Sequence, residues 1–225
     1  MGLIGKLMGG RAGMVLGAVM LLLASPLVAP QLLAFPHKTK TPIGTVWSEQ
    51  PLDPALMAAT VSAVRQRLAT SPLAKPDESR PIFLTNGGWR WLYLANTTRS
   101  AFAFTRPITP AVVVNQTVPS DGAVRNGASI GGVRPLAAVL AHEFTHGMIR
   151  RKYGVIRSAT FPQWKVEGYC DHVAGNSSLS EADVAILEAE GRAHPALPYF
   201  HGRKRVAAVL AANGGSPDTL FIGDQ

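Results

Sequence analysis

Two histidines four residues apart stand in the middle of an apolar helical run, in the segment AHEFTHGMIRR. Pro135 before this run, three consecutive cations near its end and Gly154 after them predict a helix from about Pro135 to Tyr153. On such a helix His142 and His146 share one face, so their imidazoles can converge on a single metal ion.

Carboxylates at suitable spacing accompany these histidines. Glu143 follows the first histidine, the position from which a general base reaches a metal-bound water. Glu167 follows His146 with twenty residues between, in the segment PQWKVEGYCDH. Two histidines and a glutamate are one recurring ligand set of catalytic zinc. Asp171 comes four residues after Glu167, on the same face of a second predicted helix, and could accept the free ring N–H of a ligand histidine.

These motifs resemble those of the gluzincin clan of zinc metallopeptidases. The HEFTH motif, the Pro-x-Trp-x-x-Glu-Gly element and the aspartate four residues after its glutamate are similar to those of compact peptidase MA-like proteins, the minimal gluzincins. The resemblance covers roughly residues 111 to 175. This stretch includes the strand before the active-site helix, which in gluzincins forms the edge that binds the substrate backbone.

The resemblance implies a role for each residue of the motif. It implies Zn2+ bound by His142, His146 and Glu167, with Glu143 as the general base and Asp171 as the support of a ligand histidine. It also implies an oxyanion-stabilising tyrosine or histidine further downstream. Tyr199 and His201 are both available for that role, and the spacing selects neither.

Other reactive side chains are predicted to be structural. The single cysteine, Cys170, excludes an internal disulfide framework. It is expected to point away from the Glu167 face and to be a small buried hydrophobe. His172 is predicted to lie beside the site without a role, and His194, next to Pro195, is predicted to be a loop residue. The runs Arg150–Lys152 and Arg203–Arg205 are predicted to be solvated, with anionic lipid heads as an alternative contact.

Strand patterns come first and helix patterns afterwards, which predicts an α+β fold. A small mixed or antiparallel sheet would be followed by a helical half carrying the HExxH helix and the Glu-bearing helix. The predicted strands are Ile82–Thr85, Trp91–Ala95, Ala101–Thr105 and Ala111–Asn115, before a Gly-rich loop at Asp121–Gly132. The other predicted helices are Asp53–Leu68, Gln163–Val173, Ser180–Glu190 and residues 200–212.

The amino terminus is uncharged from Ala12 to Ala34, long enough to cross a bilayer core of about 30 Å as a helix. Pro26 and Pro30 interrupt its second half. Residues 1–34 are predicted to be a hydrophobic signal-anchor, with a cleaved signal peptide and a buried helix as alternatives. Residues 35–50 are predicted to be a linker, and residues 51–225 the zinc metallopeptidase-like catalytic domain. That domain would lie outside the cytoplasm, anchored to the membrane or secreted after cleavage.

Charge excludes one class of partner. Beyond residue 40 the chain has 18 basic and 14 acidic residues, too balanced for a nucleic-acid binder.

The leading hypothesis, from the motif residues, is a zinc-dependent hydrolase of peptides or proteins. A catalytically idle zinc-binding module at the membrane and a zinc hydrolase of a non-peptide amide remain alternatives. Glu143 argues against the idle module, because a structural site needs no base.

Overall fold

The computed structural model describes residues 11–223, which form an α+β fold as predicted. The helices are α1 (Arg11–Ala24), α2 (Pro54–Leu68), α3 (Trp89–Ala95), α4 (Leu136–Tyr153), α5 (Val155–Thr160), α6 (Gln163–Ala174), α7 (Glu181–Ala189), α8 (Leu197–Ala212) and α9 (Pro217–Ile222). The strands are β1 (His37–Thr41), β2 (Gly44–Ser48), β3 (Ile82–Leu84), β4 (Ala103–Thr105), β5 (Val112–Val114), β6 (Gln116–Val118), β7 (Ala123–Arg125) and β8 (Val133–Pro135).

The strands form two sheets. The first is mixed and has the order β1-β2-β3-β5-β4, parallel from β2 through β5 and antiparallel at both edges. The second is an antiparallel meander of β6, β7 and β8 that leads directly into α4. Strand β4 is therefore an edge strand, and it packs against α4.

The central strands of the mixed sheet are buried on both faces, because side chains alternate along a strand. Ile82 and Val112 belong to the main core, with Phe144 and Met148 of α4. Phe83 points the other way, into a second cluster that α3 covers. Helices α2, α4 and α6 pack together on the main-core side, and α8 packs on α6. The sheet thus supports α4 from one side.

Several predicted element ends are confirmed. Asp53 accepts a hydrogen bond from the Leu56 N–H at 2.9 Å and so caps α2. Helix α4 begins directly after Pro135 and ends at Tyr153, directly before Gly154. Ser180 and Asp183 form the predicted capping box at the start of α7.

The predicted strand at Trp91–Ala95 is wrong, because these residues belong to helix α3. Trp91, Leu94 and Ala95 are buried, while Leu92 is exposed. That is the i, i+3, i+4 spacing of a helix face. The spacing cannot be recognised in the sequence, because the run is short and apolar at almost every position. Helix α3 therefore covers the second face of the sheet.

The predicted linker at residues 35–50 is corrected as well. It holds the hairpin of β1 and β2, and β2 pairs in parallel with β3, with Val46 opposite Ile82. Val46 is buried in the main core, and Trp47 stacks on Phe83 with ring centroids 4.8 Å apart. Pro42 and Gly44, which are typical of a linker, lie instead at the hairpin turn, where Gly44 has a φ of 123°. The Gly-rich loop likewise contains a strand, β7.

The apolar amino-terminal segment forms α1, whose large side chains are exposed: Met14, Val15, Leu16, Val19, Met20, Leu21, Leu22 and Leu23. The first ten residues of the predicted signal-anchor lie outside the described residues. Among residues 11–223, none of the helices has both the length and the apolar character needed to cross a bilayer.

Residues 25–35, after α1, pack on the rest of the fold. Pro26 and Pro30 are buried in short 3-10 turns. Arg90 donates a hydrogen bond to the Leu33 carbonyl at 2.9 Å, and Arg106 donates one to the Leu27 carbonyl at 2.7 Å. Part of the segment predicted as an anchor therefore belongs to the folded body.

Candidate metal centre

Helices α4 and α6 bring three ligand atoms together. The Nε2 atoms of His142 and His146 are 3.2 Å apart, as expected for histidines one turn apart on one helix face. The Glu167 Oε2 atom, from α6, lies 3.3 Å from the His142 Nε2 and 3.7 Å from the His146 Nε2. The three predicted ligands therefore meet at one point.

The spacing of these atoms fits a zinc ion. A triangle with sides of 3.2, 3.3 and 3.7 Å has a point about 2.0 Å from every corner. Zinc bonds to imidazole nitrogen and carboxylate oxygen are about 2.0–2.2 Å long. The separations of His142, His146 and Glu167 are therefore those that zinc ligands require.

Cys170 lies near the same point. Its sulfur and one nitrogen from each of His142 and His146 are within 4.8 Å of one another, near enough to bind a metal together. The prediction that Cys170 points away from the Glu167 face is wrong, because residues three apart on a helix share a side. Cys170 is fully buried, as expected, and burial raises the pKa of its thiol well above the usual value. Glu167 is the better third ligand on geometry, because its Oε2 lies 3.3 Å from the His142 Nε2 and 3.7 Å from the His146 Nε2.

Asp171 supports the first histidine from behind. Its Oδ1 lies 2.7 Å from the His142 Nδ1, on the far side of the ring from the ligand nitrogen. The same oxygen accepts a hydrogen bond from Arg134 at 2.9 Å, and Oδ2 accepts one from Ser177 at 3.0 Å. Burial alone would raise the pKa of Asp171, but the charge of Arg134 and the hydrogen bonds lower it to about 2. Asp171 is therefore an anion that fixes the orientation of His142.

The metal-free site holds its proton on one histidine. Burial alone would lower the pKa of His142, but Asp171 and Glu167 hydrogen-bond to its two nitrogens and raise the pKa to about 10. Burial lowers the pKa of His146, which has no such pair of partners. Burial would raise the pKa of Glu167, yet the histidines lower it overall. At neutral pH the metal-free site therefore contains a protonated His142, a neutral His146 and an ionised Glu167.

Glu143 is held in the same cavity by the edge strand. Its Oε2 accepts a hydrogen bond from the Thr105 hydroxyl at 2.7 Å. Glu143 is buried, and its carboxylate and both histidines line one cavity of about 680 Å³. Thr105 belongs to β4, so this contact ties the sheet edge to the candidate base.

The two candidate oxyanion-stabilising residues, Tyr199 and His201, differ in whether they line this cavity. Tyr199 lines the cavity, and its hydroxyl accepts a hydrogen bond from Gln163 at 3.0 Å. His201 is exposed and lies 3.4 Å from Glu188, so the structure does not bring it to the centre. His194 is a loop residue, as predicted, and it also lines the cavity.

The glycine of the Trp-x-x-Glu-Gly element allows two helices to approach. A Cβ atom on Gly168 would lie 2.5 Å from the Gly202 carbonyl oxygen, closer than real Cβ atoms come to backbone. Helix α8 therefore contacts α6 directly at the residue after Glu167, and this packing positions both Glu167 and Tyr199 on the cavity wall.

Sequence reasoning missed two residues of the site, Thr105 and Arg134. Both come from strands distant in sequence from the motifs, and no spacing rule links them to α4 or α6. The strand that lines the cavity is β4, outside the stretch that carries the gluzincin resemblance, whereas β5 lies inside the sheet. The one sequence signal available for this part of the site was the predicted apolar strand that ends at Thr105.

The chain matches no known protein-family model, no curated protein and no solved structure. The likeness to gluzincins is carried by the motif residues alone.

Proposed function

We propose that this chain is a zinc-dependent hydrolase of peptide bonds, of the gluzincin type. The observation that carries the proposal is the meeting of His142, His146 and Glu167 at zinc-bonding separations, beside Glu143 in one cavity. A buried carboxylate next to a three-ligand site is the arrangement that metal-assisted hydrolysis requires, and a structural site does not need it.

Each residue then has a chemical task. Zinc, when bound, would polarise the scissile carbonyl and acidify a water molecule. Glu143 takes the proton from the attacking water and delivers it to the leaving amine. Asp171 keeps the His142 Nε2 directed toward the ligand position by accepting the Nδ1 proton. The Tyr199 hydroxyl accepts from Gln163 and so keeps its own proton for the oxyanion.

The edge strand suits a peptide substrate. Strand β4 pairs with β5 along one side and lines the cavity along its length. An extended peptide can hydrogen-bond to such an edge as an additional strand, which would lay its backbone across the centre. A peptide is therefore favoured over a non-peptide amide as the substrate.

Membrane contact through the amino-terminal segment is part of the proposal. The exposed apolar side chains of α1 have no counterpart of similar extent elsewhere among residues 11–223. Burial of apolar surface in lipid would stabilise them. Fractionation of cells that produce the full chain or a chain starting at residue 25 checks this. We expect the full chain with the membranes and the shorter chain in the soluble fraction; equal partitioning would contradict an anchor.

The central test combines metal content with activity on a mixed peptide library. The wild type should hold one zinc per chain, and Glu143→Gln should keep the zinc and lose hydrolysis, because a carboxamide cannot accept the water proton at neutral pH. Glu190→Gln, on the exposed end of α7, is the matched control. Hydrolysis by Glu143→Gln at the wild-type rate would reject Glu143 as the base. Stoichiometric zinc without any hydrolysis by the wild type would favour the idle module.

A second comparison identifies the third ligand. Glu167→Ala should remove stoichiometric zinc at submicromolar concentration, since only two histidines would remain. Cys170→Ala should leave zinc content unchanged, because Glu167, with its oxygen 3.3 and 3.7 Å from the two histidine nitrogens, completes the site without the thiol. The reverse result would assign the third position to Cys170.

A further inference from the structure

Three consecutive cations end helix α4, and the structure gives them different environments. Arg151 donates a hydrogen bond to the Leu73 carbonyl at 2.7 Å and pairs with Glu78. Lys152 pairs with Asp218 at 3.2 Å, close to solvent. The prediction of a solvated face is wrong for Arg150, which is half-buried and lines the same cavity as the candidate metal ligands.

Arg150 has no partner of its own in this cavity. Among residues 11–223, no hydrogen bond or ion pair uses its guanidinium, whereas Arg134 on the same wall is bound to Asp171 and to Asn176. Burial lowers the pKa of Arg150, and the negative charge of Glu143 only partly offsets this effect, so the guanidinium is a cation separated from water. A half-buried charge without a partner is costly, so this site favours an anion that enters from outside.

The position of Arg150 matches the scale of a peptide. His142, His146 and Arg150 occupy one face of α4 at steps of four residues, which is a rise of about 6 Å from His146 to Arg150. Successive residues of a peptide are about 3.8 Å apart. A carboxylate one residue away from the scissile bond therefore falls within reach of the guanidinium while the scissile carbonyl occupies the centre.

We propose that Arg150 binds a carboxylate of the substrate and so selects peptides with an anionic group next to the scissile bond. The inference rests on the proposed hydrolase function and specifies its substrate class. A guanidinium can bind a carboxylate through two parallel hydrogen bonds, which orients the substrate as well as holding it. The carboxylate can be the C-terminus of the peptide or the side chain of Asp or Glu.

Four versions of one peptide distinguish the two sources. They carry a free or an amidated C-terminus, each combined with Glu or Gln at the residue after the cleaved bond. Zinc-loaded full-length protein, Arg150→Gln and the neighbouring control Arg151→Gln are compared by kcat/KM. Binding of the same peptides is measured by calorimetry with all three in the Glu143→Gln background, where no turnover interferes.

The expected result is a loss confined to one pair of peptides. For peptides that carry the recognised carboxylate, Arg150→Gln should lower kcat/KM and affinity by about 10- to 100-fold. For the peptides that lack this carboxylate, both values should stay within about twofold of the wild type. Arg151→Gln should change neither, although it removes the same charge one residue away. A loss that follows the free C-terminus indicates an exopeptidase anchor, and one that follows Glu indicates a side-chain pocket.

A structural role for Arg150, as a cation at the end of α4, predicts equal loss for all four peptides. Equal loss, or no loss for any peptide, would overturn the proposal. The hydrolase function and the anion site fail separately. If no peptide is cleaved but carboxylate peptides bind in an Arg150-dependent way, the anion site stands and the hydrolase is rejected. If all four peptides are cleaved and Arg150→Gln does not distinguish between them, the hydrolase stands and the anion site is rejected.

Discussion

His142 lies between two carboxylates, with Asp171 at Nδ1 and Glu167 at Nε2. Both partners stabilise the imidazolium, so this ring is protonated at neutral pH before a metal arrives. A metal ligand must give up the proton on its coordinating nitrogen. Zinc binding at pH 7 should therefore release about one proton per ion, which calorimetry in buffers of different ionisation enthalpy measures.

The proton count has a matched control. In Asp171→Asn, one of the carboxylates that raise the pKa of His142 is gone, so fewer protons should be released at pH 7. The variant should also bind zinc about 10- to 100-fold more weakly, because the ligand ring loses its support. Release of no proton by the wild type would show that His142 is neutral before zinc binds.

Asp171 also links stability to pH. In the unfolded chain it titrates near its ordinary pKa of 3.8, while Arg134 and the hydrogen bonds lower the folded pKa to about 2. Its ionisation therefore stabilises the fold above about pH 4, and this contribution is lost as the pH falls toward 2. Metal-free wild type should exceed Asp171→Asn by roughly 2 kcal/mol in unfolding free energy at pH 5. Urea titrations should show the difference shrinking below pH 4; a constant difference would contradict this assignment.

At the scale of elements, the contact between α6 and α8 determines where Glu167 lies. A methyl group on Gly168 would overlap the backbone of Gly202, which cannot move aside without separating the helices. Gly168→Ala should lower the unfolding free energy by about 1–3 kcal/mol and weaken zinc binding, because Glu167 moves with the helix.

Gly202→Ala is the graded comparison for this contact. Its Cβ would lie 3.2 Å from the Trp164 carbonyl oxygen, a smaller overlap than the one at Gly168. Its loss of stability, measured by the same urea titration, should therefore be smaller. Equal stabilities for both variants and the wild type would mean that the helices are not in direct contact.

The sequence predicted the secondary-structure elements correctly where the periodic pattern of apolar residues extends over many residues. Helix α4 has eighteen residues, a clear start and a glycine stop, so its bounds follow from local rules. Helix α3 has seven residues, almost all apolar, and period 2 cannot be told from period 3.6 over so short a run. Its helical form is decided by the sheet face that it covers.

At the scale of the whole molecule, the amino-terminal segment divides at about residue 25. Helix α1 exposes its apolar side chains, whereas Leu33 and Phe35 pack against the cluster around Phe83 and Trp91. A chain starting at residue 25 should therefore unfold at the same urea concentration as the full chain.

A chain starting at residue 36 should lose about 2–4 kcal/mol, because it exposes that cluster and removes the hydrogen bonds from Arg90 and Arg106. Urea unfolding monitored by tryptophan fluorescence measures the difference. Equal stability of the two shortened chains would show that residues 25–35 are not part of the folded domain.

Local spacing by itself determined which residues of the candidate metal centre share a face within each helix, whereas the meeting of the two helices was decided by the tertiary structure. Residues four apart on a helix must share a face, so His142 with His146, and Glu167 with Asp171, were paired before any packing was known. Contacts across the fold obey no such spacing. Only the tertiary structure brought Thr105 to the candidate base and Arg134 to Asp171, because a side chain from a distant strand acquires its environment from the elements that pack around it.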